Sequence, residues 1–197
     1  MKRTLLWIAA SAIAITAPLA AAPMSFYAVL NGPSESPANA SLGTGLTQVI
    51  IDPTAHTLAV WLAFSNLTGT TTASHIHVIT TPGAATGGVA TTTPTFAGFP
   101  LGVTGGGYSN VLDTTLASSF NPSFVTLSGG LSQAEAALFA GITGGNAYLN
   151  IHSSVYPGGE IRGFLVPVPE PASGILLASG IAGLLYWRKK RASAIVV

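Results

Sequence analysis

Three histidines stand in two short motifs, Ala73-Ser74-His75-Ile76-His77 and Ala147-Tyr148-Leu149-Asn150-Ile151-His152-Ser153. On an extended strand, residues two apart project from one face, so His75 and His77 present their imidazoles side by side. His152, on a second extended segment, is the natural third member. Neutral imidazole is a common nitrogen ligand, and a set of three suits copper or zinc. The same residues also allow a structural reading, in which the rings hydrogen-bond to Asn150 or to backbone carbonyls beneath a loop. A third motif, Pro157-Gly158-Gly159-Glu160-Ile161-Arg162-Gly163, holds the only cation between the two ends of the chain. Alternation places Glu160 and Arg162 on one face, where a cross-strand ion pair can form. With Gly159 and Gly163 beside it, Arg162 is suited to anchoring a buried carboxylate or loop carbonyls through its five donors.

Other chemistry is poorly served. Cysteine is absent, which removes disulfides, thiolate nucleophiles and thiolate metal sites. There is no Gly-x-Ser-x-Gly, no His-Glu-x-x-His and no phosphate loop, since the Gly-rich run 102–107 lacks a following Lys and helix. Glu35, Asp52, Asp113 and Glu135 occur without distinguishing context and read as solvated surface or caps. The expectation is therefore a protein that is not an enzyme. The basic residues Lys2, Arg3, Arg188, Lys189, Lys190 and Arg191 all lie at the ends, leaving the middle acidic. Nucleic acid, which needs a basic surface, is not an expected partner.

The elements that must position these side chains are strands. Leu58, Val60, Leu62 and Phe64 repeat with period two, the signature of a strand buried on one face. Further strands are expected over 26–30, 46–51, 74–79, 108–116, 147–152 and 160–166, each bounded by Gly, Pro, Asn or Asp. One short helix is expected at 132–140, with Ser132-Gln133-Ala134-Glu135 as a capping box and Gly141 as its stop. The Thr-, Gly- and Pro-rich stretch 80–107 reads as a long loop of low rigidity. Charged residues are only 7% of the 197, with 23 Gly and 13 Pro, which suits short strands and frequent turns rather than long helices. The expected fold class is all-β: a Greek-key β-sandwich or barrel, Ig-like or superoxide-dismutase-like.

The ends carry different information. Met1-Lys2-Arg3, the apolar stretch 5–19 and Ala20-Ala21-Ala22 make a three-part secretory signal, giving a signal peptide over 1–22 and a β domain over 23–167. The tail, 168–197, begins Val168-Pro169-Glu170-Pro171. An uncharged apolar run over 172–187 follows, then Arg188-Lys189-Lys190-Arg191. Sixteen helical residues rise about 24 Å against a hydrocarbon core of ~30 Å, so a transmembrane helix here spans with help from Tyr186, Trp187 and the snorkelling basic cluster. Positive charge on the cytoplasmic side leaves the domain outside.

The order Pro-Glu-Pro, short apolar helix and basic cluster resembles the PEP-CTERM sorting signal of Gram-negative bacteria. That resemblance implies a membrane-embedded exosortase as a partner, beside the export machinery and signal peptidase that the N-terminal signal calls for. It also implies a stay at the inner membrane with the domain in the periplasm, followed by cell-surface or extracellular release, usually alongside exopolysaccharide.

The His motifs and the Gly-Glu-Ile-Arg-Gly motif, with the opening Phe26-Tyr27-Ala28-Val29-Leu30-Asn31-Gly32 and Glu35-Ser36-Pro37, resemble the CHRD domain over nearly all of 25–166. The resemblance implies architecture more than activity. The expected role is a binding or structural module, with extracellular polysaccharide as a candidate partner and metal binding as the alternative. His-x-His on a β-barrel is also similar to the copper site of copper,zinc superoxide dismutase. There a further His comes from a later strand and an Arg lies near the open position, which Arg162 would supply. A zinc cluster and the structural disulfide of that enzyme have no counterpart here, and His56 is poorly placed as a fourth ligand.

Overall fold

The computed structural model describes residues 21–169 and 179–188. Nine strands form one antiparallel sheet: β1 (Met24–Asn31), β2 (Thr44–Asp52), β3 (Thr57–Ser65), β4 (Thr71–Val78), β5 (Gly88–Val89), β6 (Gly106–Asp113), β7 (Ala147–Ser153), β8 (Ile161–Phe164) and β9 (Val166–Pro167). Their order across the sheet is β5-β4-β7-β8-β1-β2-β3-β6, with β9 also paired to β1. The mostly-β expectation holds, but the two-sheet sandwich does not. A single sheet curls into a half-barrel whose concave side is the core.

Alternation explains which face turns inward. Leu58, Val60, Leu62 and Phe64 of β3 are buried, as are Val49 and Ile51 of β2 and Phe26, Ala28 and Leu30 of β1. All nine strands belong to this one sheet, so among the described residues no second sheet closes the concave surface. Helices and one long segment close it instead. The segment expected to be a loose loop contributes the short edge strand β5 and buries Ala90, Phe96 and Phe99 in the same core. Phe96 and Phe99 pack on Tyr108, and Phe99 also stacks on Phe64. Large aromatics dispersed among Thr and Gly are what the composition of this stretch concealed.

Two α-helices, rather than one, complete the domain: α1 (Pro122–Ser128) and α2 (Leu131–Thr143). The anticipated capping box does not form. The N-cap of α2 lies two residues earlier, at Gly130 with φ 134°, and Glu135 is drawn away to Thr114 and His56. Nor does Gly141 stop the helix, which runs on to Gly144. Gly141 is instead a contact glycine, since a Cβ there would lie 2.6 Å from Val78 Cγ1 on β4. Its lack of a side chain lets α2 press against the strand that carries His75 and His77.

Residues 179–188 form a third, exposed helix. No helix among the described residues is long and apolar enough to cross a membrane. The rest of the expected span, 172–178, lies outside the described residues, as do residues 1–20 of the signal segment and Glu170, Pro171, Lys189, Lys190 and Arg191.

Candidate metal centre and its arginine support

The register of three neighbouring strands brings the motif residues together. Directly opposed residues in an antiparallel pair share a face. On β4 and β7 the pairs are Ala73↔His152, His75↔Asn150 and His77↔Tyr148. On β7 and β8 they are Asn150↔Arg162 and Tyr148↔Phe164. The result is a polar grid of His75, Asn150 and Arg162 in one row, flanked by His77-Tyr148-Phe164 on one side and His152 on the other.

The imidazoles converge. Ring centroids of His75 lie 4.7 Å from His77 and 4.8 Å from His152, and one ligating nitrogen from each ring falls within 4.8 Å of the others. Among the described residues this is the group of acidic or imidazole side chains that could hold a metal ion. Two rings have their orientation fixed from behind. His77 Nδ1 is 2.9 Å from the Gly87 carbonyl and His152 Nδ1 is 2.8 Å from the Pro157 carbonyl. A carbonyl only accepts, so each Nδ1 carries the proton and each Nε2 is left with a free lone pair. Those two Nε2 atoms and Nδ1 of His75 are buried without a hydrogen-bond partner. Orphaned buried polar atoms are costly, typically about 1–3 kcal/mol each, and here three belong to one cluster of neighbouring rings. The ring-to-carbonyl bonds of the structural reading are therefore present on His77 and His152, where each uses one nitrogen of the ring.

Burial also sets the protonation. It pushes His75 down to about 3, with the neighbouring His77 and His152 charges acting the same way. Burial likewise lowers His77 and His152, outweighing the backbone carbonyls of Gly87 and Pro157. All three rings are neutral at pH 7, which is the form that ligates a metal. Donors held about 2.0–2.1 Å from a zinc ion sit nearer together than 4.8 Å, so binding would draw the three rings inward. The donor set fits copper or zinc: three neutral nitrogens with carbonyl partners behind two of them, as metal-ligating histidines normally have.

Arg162 is buried and built into the wall beside this cluster. Its Nε donates to the Ser34 carbonyl, and Nη1 to the Ala85 carbonyl at 3.2 Å. The guanidinium carbon stands 4.8 Å from the Tyr148 ring centroid and 5.6 Å from that of Phe164. Tyr148 stacks in turn on His77, with centroids 4.8 Å apart and planes 6° from parallel. The carboxylate facing Arg162 is Glu35, at 3.8 Å, rather than Glu160. Glu160 lies just before β8 and turns into another loop, accepting from Ser41 Oγ at 2.6 Å and from the backbone N–H groups of Thr68 and Gly69. Burial works to raise its pKa, but the Ser153 hydroxyl together with these hydrogen bonds prevails and leaves it lowered.

Glu35 is the residue that sequence reasoning missed. Read as solvated surface or cap, it is 8% exposed. Burial raises its pKa to about 7 against the opposing pull of Arg162 and the Ser36 N–H. Gly159, with φ 134°, is required beside it, because a Cβ there would lie 2.6 Å from Glu35 Oε1. Gly163 answers a different need: its Cβ would fall 2.4 Å from the Val29 carbonyl oxygen, so β8 approaches β1 only without a side chain at that point. The remaining acids do serve turns and loops: Asp52 accepts from the Thr54 and Ala55 N–H groups, and Asp113 from Thr115. His56 bonds Glu135 and takes no part in the cluster.

Comparison with known proteins agrees with this placement of motifs. A family model described as CHRD domain matches residues 26–165. A second, described as PEP-CTERM protein-sorting motif, matches residues 167–191 and implies an exported protein processed by an exosortase. No curated protein and no solved structure matches the chain.

Proposed function

Because the chain belongs to the CHRD domain family and carries a PEP-CTERM sorting motif, we propose that it delivers a metal-binding β domain to the outside of the cell. The ligands are His75, His77 and His152. The observation that carries this reading is the convergence of three buried, unpartnered imidazole nitrogens. Copper is the first candidate and zinc the second, since imidazole suits both and copper stands higher in the affinity order of divalent ions. When bound, such an ion supplies a Lewis-acidic centre and, for copper, one-electron chemistry.

The chain's own residues do the rest. The Gly87 and Pro157 carbonyls hold two tautomers, burial keeps the rings unprotonated, and Arg162 fixes the loops carrying Ser34 and Ala85 against the grid. Within this reading the domain is a binding and structural module rather than a catalyst, its finer setting an exopolysaccharide matrix reached after exosortase processing.

Metal analysis of the purified protein after exposure to copper or zinc tests the assignment. About one equivalent is expected, and a folded His75→Ala/His77→Ala variant should retain none. A protein of normal stability that takes up no ion under these conditions removes the proposal.

A further inference from the structure

The convex side of the sheet carries an apolar face that nothing in the domain covers. Tyr27, Gln48, Trp61 and Ser109 form one cross-strand row over β1, β2, β3 and β6, and Val29 and Leu46 stand opposite each other in the next. Tyr27 is 42% exposed, Val29 59%, Leu46 47% and Trp61 46%. A contiguous uncovered apolar patch of this kind marks an interaction surface. Over β2, β3 and β6 charge on this face appears at one end, where Asp52 and Asp113 close their strands, while the cation that shares the face, Arg162 opposite Asn31, is buried.

Where the chain leaves the domain identifies the occupant. β9 pairs with Phe26 and Tyr27, and the next residue, Val168, donates its N–H to the Ser25 carbonyl at 2.8 Å. Val168 itself lines the shallow depression formed with Tyr27, Leu46, Gln48 and Trp61. Only Pro169-Glu170-Pro171 separates it from the apolar run beginning at Ala172. Four residue steps reach at most about 14 Å, and two prolines in three residues stiffen the tether. The patch is thus held at the level where the tail meets the membrane. Tyr and Trp are the side chains enriched at that level.

We infer that, while the tail is anchored, the Tyr27/Leu46/Trp61 face rests on the interfacial region of the bilayer; the inference stands on the sorting-tail reading. The contact is apolar and aromatic rather than electrostatic. Asp52 and Asp113 make zwitterionic lipid the better partner and anionic lipid the poorer one, the reverse of a polybasic membrane site. Release of the tail frees the face, so processing changes which surface the domain shows.

The test uses the chain from residue 23 onward, without the apolar signal segment and with Trp187→Phe, which leaves Trp61 as the reporter, reconstituted into phosphatidylcholine vesicles. Flotation reads tail anchoring separately. The expected result is a floating protein with blue-shifted Trp61 emission, quenched by lipids brominated near the headgroup end of their chains. Acrylamide quenching should be severalfold weaker than in a Leu46→Glu variant, whose added charge on an exposed position lifts the face away. Part replacement by phosphatidylglycerol should weaken the lipid quenching. A floating protein whose Trp61 stays as open to acrylamide as in Leu46→Glu overturns the contact alone. So does shielding that appears without lipid and rises with protein concentration, which would mark a second copy as the occupant. Failure to float overturns the anchoring and the contact together.

Discussion

Arg162→Ala should be the most damaging single truncation in the motif region, with a penalty that depends on pH. The side chain is 6% exposed and donates to the Ser34 and Ala85 carbonyls, faces Glu35 at 3.8 Å and lies over Tyr148. Charge-assisted hydrogen bonds contribute roughly 1.5–3 kcal/mol each, and breaking a buried ion pair by removing one partner costs about 3–5 kcal/mol. These figures describe overlapping interactions and do not add, so the expected loss is about 4 kcal/mol near pH 8, a large share of a typical domain's ~5–15 kcal/mol.

Glu35 sets the pH dependence. Its folded pKa is already raised to about 7 by burial. The stability its protonated form contributes is fully present below the ordinary carboxyl range and is lost as pH rises through about 7. Without Arg162 that pKa climbs further, so the abandoned carboxyl is neutral at pH 5.5 and its desolvation cost disappears there. Urea unfolding at pH 5.5 and 8.5 should show a distinctly smaller loss at the lower pH. Adding Glu35→Gln to Arg162→Ala should recover roughly 1–2 kcal/mol at pH 8.5 by removing the stranded charge. A loss below about 1 kcal/mol, or one that is equal at the two pH values, would refute this account of the arginine.

Two further outcomes follow from the same geometry. In a Glu35→Gln background, which removes the opposing titration of that carboxyl, the metal-free domain should lose stability as pH falls from 6.5 towards 3, because the unfolded chain takes up protons there that His75, with its folded pKa lowered to about 3, refuses; thermal melts across that range check it, and a flat profile contradicts it. Gly163→Ala should destabilise by roughly 2–3 kcal/mol or prevent folding, since the added carbon meets the Val29 backbone rather than a flexible side chain; a melt within a degree or so of the parent contradicts the close approach of β8 to β1.

What could be read from sequence was whatever is local. Period two in β3 and the same-face logic of His75 and His77 need only strand geometry, and both appear in the structure. The partner of Arg162 was not legible, because Glu35 reaches it through the single β1–β8 pairing Asn31↔Arg162 between distant segments. Gly141 looked like a helix stop because a glycine's local meaning is termination, whereas its use here depends on Val78 across the interface. The stretch 80–107 looked loose because Phe96 and Phe99 are sparse in sequence, although the open mouth of the half-barrel gives each a place in the core. The capping box failed for a similar reason, as Glu135 found Thr114 and His56 instead of the helix start.

The most direct measurement is anomalous diffraction at the copper or zinc edge from crystals of the loaded protein. The account predicts one strong peak bounded by His75 Nδ1, His77 Nε2 and His152 Nε2, the three nitrogens left unpartnered. Full loading with no peak among these atoms, or with the ion held elsewhere, would contradict it.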